Sequence, residues 1–100
     1  MGVKIFLDDR RNPPSSDYII VRNYEACTAL LGEIKEIETI SLDYDLNELK
    51  TGLDVVLWMK KNKKTPKNIN IHSTHYHGAN RMAEYIRSGF PDSVLTRNQV

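Results

Sequence analysis

The chain carries one cysteine, no long apolar run and a net charge of only +1, and each shortage removes a class of explanation. Cys27 has no partner within the chain, so no internal disulfide can staple the fold. It falls on the apolar side of a helical pattern, where free cysteine acts as packing filler. No apolar stretch approaches the roughly 18 residues that a membrane span needs. The amino terminus also lacks a secretory pattern, because Asp8, Asp9, Arg10 and Arg11 cut short a brief apolar run, and a cytoplasmic location is expected. Fourteen Lys and Arg nearly balance thirteen Asp and Glu, which leaves no global field to draw the protein onto duplex DNA or a membrane. Any preference for phosphate must be local.

What is present suffices for one core. One hundred residues of 40% hydrophobic content predict a single domain over 1–100. Residues 3–7 form a β-rich apolar run stopped by Asp8-Asp9, as suits a strand buried on both faces of a parallel sheet. Asn12-Pro13-Pro14-Ser15-Ser16 breaks both strand and helix, so residues 10–17 are a loop. A second strand is predicted over 18–22. Asn23 then caps a helix whose stripe is Tyr24, Cys27, Leu30, Leu31 and Ile34. A brief strand over 39–42 ends at Asp43.

Thr51-Gly52-Leu53-Asp54 has the form of a capping box and opens a helix running to about Asn62. Its expected seam is Leu53, Val56 and Leu57, with Trp58 at the rim. Lys60-Lys61-Asn62-Lys63-Lys64 reads as a solvated helix end favoured by the macrodipole. Residues 68–73 alternate Ile69 and Ile71 with polar partners, as a fourth strand does, and lead into His72-Ser73-Thr74-His75-Tyr76-His77. A last helix buries Ala79, Met82, Ala83 and Ile86, with Gly89 expected in a left-handed cap. Residues 93–96 are a marginal fifth strand. The order predicts an α/β fold with a parallel sheet of four to five strands. Its first crossover is a loop of about ten residues, near the lower limit for a parallel connection.

Ligands of open α/β sheets bind beyond the carboxyl ends of the strands, and the polar residues of this chain collect there. Asp8 and Asp9 follow strand one, Asp43 and Asp45 strand three, and His72, Ser73 and His75 strand four. Converging carboxylates repel unless a cation is bound, and oxygen ligands favour Mg²⁺ or Mn²⁺ over zinc. Asp8, Asp9 and Asp43 are the candidate metal ligands. Asp45 is either an outer ligand or an exposed loop acid, and Asp54 is assigned to the helix start. His75-x-His77 has a spacing seen in zinc sites, yet nothing completes a ligand set. His72-Ser73-Thr74 matches one half of a two-histidine phosphoesterase motif, of which the second copy is absent.

The strand endings at Asp8-Asp9, Asp43 and Ser73, with Gly52 between, resemble the receiver domain of response regulators. The resemblance implies a flavodoxin-like sheet, an acidic pair at Asp8 and Asp9, a phosphoacceptor at Asp43 and a switch hydroxyl at Ser73. Two features depart from it: the receiver lysine after strand five has no match beyond Arg97, and the Pro13-Pro14 loop replaces the first helix. A divergent receiver-like family named for cyclic-phosphate processing is more similar. It resembles this chain at Phe6-Leu7-Asp8-Asp9-Arg10-Arg11-Asn12-Pro13, Val21-Arg22-Asn23-Tyr24, Ser41-Leu42-Asp43-Tyr44-Asp45-Leu46, Thr51-Gly52-Leu53-Asp54 and Ile71-His72-Ser73, with His75 where the family has asparagine. The resemblance implies a phosphate-containing small molecule, nucleotide or RNA end as ligand.

On that reading a bound metal acidifies a water for attack on a cyclic phosphodiester. Arg10, or its neighbour Arg11, stabilises charge on the phosphoryl oxygens, because a guanidinium is a planar fork of donors. His72 or His75 protonates the leaving oxygen, since imidazole exchanges protons near neutral pH, and Tyr76 offers a ring for stacking on a base. A non-catalytic phosphate- or nucleotide-binding module, an atypical phosphoaccepting receiver and a protein-interaction scaffold are the alternatives. One scaffold hosts many activities, so fold alone does not choose among them.

Overall fold

A computed structural model of the chain describes residues 2–98. The elements are β1 (Val3–Leu7), β2 (Tyr18–Val21), α1 (Tyr24–Glu33), β3 (Ile37–Leu42), α2 (Gly52–Lys61), β4 (Asn68–Ile71), α3 (Tyr76–Gly89) and β5 (Val94–Arg97). All strand pairs are parallel, in the order β2-β1-β3-β4-β5. This is the flavodoxin-like order, with its switch point between β1 and β3. Residues 8–17 make the first crossover without a helix. Among the described residues, no helix is long and apolar enough to cross a membrane.

The strand order decides which face each connection covers. From β1 to β2 the chain steps one way, and from β2 through β5 it steps the other. Right-handed crossovers therefore put the first connection on one face and α1, α2 and α3 on the other. The helices pack in sequence, α1 on α2 and α2 on α3. Their buried side chains form one core with Ile5, Leu7, Ile40, Leu42, Ile69 and Ile71. The opposite face reads Phe6, Ser41, Asn70 and Thr96 across the ladder, and no helix covers it among the described residues. There Tyr18 of β2 is set edge-on to Phe6 at 6.1 Å, and Asn12 and Pro14 of the crossover loop line a small cavity with Phe6. Phe6 is 3% exposed, so β1 is buried on both sides although the sheet is not.

The helix ends follow local chemistry. The Asn23 side chain accepts from the Ala26 N–H, and Thr51 and Asp54 form the capping box of α2. The Lys60 ammonium donates to the Gly89 carbonyl at the end of α3, and that of Lys64 donates to the Ile34 carbonyl at the end of α1. The basic run thus complements the negative ends of two neighbouring helices. Lys63 has φ 58°. The Lys64 N–H reaches back to the Met59 carbonyl, the long bond of a Schellman turn.

Two expectations need correction. The seam of α2 is Val55, Val56 and Met59, while Leu57 is 41% exposed and Leu53 only half-buried. This middle helix meets α1 on one side and α3 on the other, and those contacts set its rotation. Gly89 is not a left-handed cap: it is the last residue of α3, no described glycine has positive φ, and the buried Phe90 ends the helix.

Backbone sterics give two opposite predictions. A Cβ on Gly52 would lie 2.0 Å from the Asp43 carbonyl oxygen, so Gly52→Ala should cost at least about 1–3 kcal/mol of unfolding free energy in urea. Lys63→Gly relieves a left-handed L-residue and should gain up to about 1 kcal/mol in the same assay, since the relief exceeds the added chain entropy.

Candidate active site

The site begins where β1 stops. Asp8 is fully buried, and its Oδ1 accepts the N–H groups of Arg10 at 3.0 Å and Arg11 at 2.9 Å. Its Oδ2 lies 3.1 Å from His72 Nε2. Arg22, just after β2, holds this turn from outside. Its guanidinium donates to the carbonyls of Asp8 and Arg11 and to the Asn12 side chain.

His72 sits beneath the site. It is fully buried, stacked on Phe6 at 4.2 Å, and its Nδ1 is 2.6 Å from Ser41 Oγ. Burial lowers the pKa of His72, outweighing the hydrogen bond and charge of Asp8 that raise it. The neutral ring must donate from Nε2, because ionised Asp8 can only accept, and Ser41 donates to Nδ1. Ser41 Oγ in turn accepts from Asn70 Nδ2, whose Oδ1 accepts from Thr96. A hydrogen-bonded line thus crosses the helix-free face from β5 to Asp8. Burial pushes the Asp8 carboxyl up, but the two amides and His72 outweigh it and hold it below the ordinary carboxylate value.

Asp43, at the end of β3, has the opposite fate. Burial and the negative charge of Asp8 push it up to about 6, against the Ser73 hydroxyl, the Tyr44 N–H and the Arg11 charge, which act to lower it. It opens onto a cavity of about 520 Å³ lined also by Asp9, Arg10, Arg11, Asp45, Ser73 and His75. Arg11 Nη1 is buried without a hydrogen-bond partner.

His75 is the N-cap of α3. Its Nδ1 accepts the Gly78 N–H at 3.0 Å, so the neutral ring carries its proton on Nε2. Tyr44 packs against this ring at 4.6 Å. A Cβ on Gly78 would meet the Tyr44 ring at 2.4 Å, so the glycine is what lets Tyr44 support His75.

Of the residues singled out from the sequence, Asp9, Asp43, Ser73, His75 and Arg10 share the cavity, while Asp8 is buried outside its lining with a ligand oxygen within 4.8 Å of one on Asp43. Asp45 is exposed at the rim, accepting from the Asn47 N–H, and Asp54 stays with Thr51. His72, like Asp8, is fully buried and does not line the cavity; it stands within 4.8 Å of the Asp8 and Asp43 ligand atoms with its Nε2 turned to Asp8. His77 is exposed in the first turn of α3 and stands outside the site. Sequence reasoning missed the Arg22 clamp and gave Arg11 second place, although only Arg11 has a guanidinium nitrogen buried and unsatisfied among the described residues.

A family model described as the cyclic-phosphate processing receiver domain matches residues 3–88. The chain belongs to that family. No curated protein matches closely enough to count as a relative. The matched span contains the acidic cavity of the family member with all of its lining residues, from Asp9 to His75.

Receiver domains hold Mg²⁺ through acidic residues, and the donors here fit such an ion. Ligand atoms of Asp8, Asp43 and His72 lie within 4.8 Å of one another, the one such group among the described residues. His72 Nε2 is a donor to Asp8 rather than a free lone pair, so oxygens make up the usable set. Asp8 keeps one lone pair on Oδ2 beyond its three bonds, Asp43 faces the cavity, and Asp9 lines the same cavity outside the close donor group. Few carboxylates and an open side suit Mg²⁺, which retains water.

The two aspartates respond to pH with opposite sign. Asp43 binds its proton more tightly folded than unfolded, so it favours the folded state at low pH and loses that contribution as pH rises from about 4 to beyond 6. Asp8 contributes above the unfolded carboxylate range and loses its contribution as pH falls below it. In protein stripped of divalent cations, wild type should lose about 1–2 kcal/mol relative to Asp43→Asn between pH 4 and 7, the shift being discounted for solvent in the open cavity. Urea unfolding of both proteins across that range checks the sign.

Proposed function

We propose that the chain is a metal-dependent phosphoesterase acting on a cyclic or terminal phosphate of a nucleotide or RNA end. One observation carries the reading: Asp43, paired with the buried carboxylate of Asp8, lines the same cavity as Arg11, whose guanidinium keeps one buried nitrogen without a partner. Crowded carboxylates favour a cation, and an unsatisfied guanidinium favours an oxyanion. A phosphate with its divalent metal answers both. Membership of the cyclic-phosphate processing family supports the same substrate class.

Asp8, Asp9 and Asp43 would hold Mg²⁺ or Mn²⁺, which when bound supplies charge neutralisation and an acidified water. Arg11, with Arg10 at the mouth, holds the non-bridging oxygens. Ser73, on the same cavity wall as Asp43, offers a hydroxyl to the phosphoryl group. The neutral His75 ring, with its proton on Nε2, can donate a hydrogen bond to the leaving oxygen as the ring P–O bond breaks, while the proton that oxygen takes up comes from the attacking water. His72 keeps Asp8 ionised and oriented, and takes no part in proton transfer.

A stand-alone phosphoacceptor is the second reading, favoured by the Ser73 contact with Asp43. Arg97 stands near the place of the receiver lysine, but it lines a different cavity, which weighs against that reading.

Incubated with Mg²⁺ or Mn²⁺ and a panel of 2′,3′- and 3′,5′-cyclic nucleotides and phosphate-ended RNA, the protein should open or cleave at least one member. Asp43→Asn should abolish turnover, and His75→Ala should lower kcat about 100-fold or more. A complete panel without product, despite metal binding seen by calorimetry, counts against hydrolysis. A phosphoryl adduct in the intact mass after acetyl phosphate treatment would instead favour the phosphoacceptor.

A further inference from the structure

Beside the acidic cavity lies a second one of about 540 Å³, built between the start of α3 and the end of β5. Ser73 and Thr74 line both, so the two cavities adjoin across these residues. Their chemistry differs. The first holds Asp9, Asp43 and Asp45, whereas the second has no carboxylate among its lining residues. Ile71 gives it an apolar patch, and Tyr76 contributes a ring whose residue is 69% exposed. Arg97 Nη1 donates to Asn80 Oδ1 at 2.9 Å, which fixes the guanidinium plane with further N–H groups to offer.

We infer that this second cavity holds the base of a nucleotide whose phosphate occupies the acidic cavity. The ligand class is then a nucleoside phosphate rather than inorganic phosphate or a bare sugar phosphate. The placement of the phosphate rests on the function proposed above; the base site rests on the second cavity alone. Its volume falls within the range of small-molecule sites. An accessible tyrosine ring is a stacking platform for any base. A guanidinium fork and a carboxamide match the ring-nitrogen and carbonyl acceptors on a base edge. Asn80, Arg97, Ser73 and Thr74 put hydrogen-bonding groups on the walls that a lipid chain would leave unpaired.

The test uses the isotope-labelled full chain in two-dimensional NMR, titrated separately with adenosine, guanosine, cytidine, uridine and ribose 5-phosphate. At least one nucleoside should move the amide signals of Tyr76, Asn80 and Arg97, whereas ribose 5-phosphate should move those of Asp9, Arg11 and Asp45. The corresponding nucleoside monophosphate should bind about tenfold more tightly than ribose 5-phosphate. Tyr76→Ala and Arg97→Gln, both at exposed positions, should erase that advantage and leave ribose 5-phosphate affinity unchanged. Four nucleosides without effect on those amides, or variants that bind nucleoside as wild type does, would overturn the base site. Nucleosides bound where ribose 5-phosphate is not would uphold the base site and strike only the phosphate reading of the acidic cavity.

Discussion

The hydrogen bond between His72 and Asp8 is the constraint on which the site depends. A fully buried carboxylate ordinarily gives up its charge, because desolvation favours the neutral form. Asp8 keeps it through two backbone amides on one oxygen and an imidazole N–H on the other. That retained charge is one reason why Asp43, a neighbour with fewer donors, holds its proton to about 6. One aspartate is fixed as an anion and the other is left in need of compensation. The pair is therefore primed for a cation by the protein interior rather than by surface charge, consistent with a net charge of only +1.

The line of polar side chains that supports His72 follows from the asymmetry of the sheet. With three helices on one face and a loop on the other, positions that would meet a second helical layer in a doubly covered sheet carry Ser41, Asn70 and Thr96. They bond to one another instead of packing against hydrocarbon. The receiver-like scaffold has in this way exchanged a helix layer for a hydrogen-bonded support under its acidic residues. At the far strand, Arg97 is tied to Asn80 and belongs to the neighbouring cavity, so the place where a receiver senses an acyl phosphate has been given to other chemistry.

Much of this was legible in the sequence because each strand ends abruptly in polar residues. The runs stopped by Asp8, Asp43 and His72 located three strand ends, and the proline pair located the helix-free crossover. The residues that mislead do so for physical reasons. Leu53, Val55, Val56, Leu57, Trp58 and Met59 form a nearly unbroken apolar run, so periodicity could not fix the rotation of α2, which contacts with two other helices decide. Gly89 has the form of a left-handed cap, but it is still helical, and the buried Phe90 caps α3 in its place. His72 was grouped with His75 by proximity along the chain. The alternation of β4 held the correcting signal, since His72 is in phase with Asn68 and Asn70 and out of phase with the core residues Ile69 and Ile71. Arg11 and Arg22 could not be ranked against Arg10, because side-chain direction in an irregular loop leaves no periodic trace.

The contact that sustains the acidic pair also joins residues 64 positions apart, through strands that neighbour the same central β3. Such a contact cannot arise in any local fragment. Its loop-closure entropy is met only after β1, β3 and β4 have aligned, a late event in a fold dominated by distant parallel pairings. Chains that have collapsed without seating β4 lack the imidazole, and their Asp8 keeps only the local amides of Arg10 and Arg11 against desolvation. Assembly of the sheet and completion of the hydrogen bonds around Asp8 are thus one cooperative event.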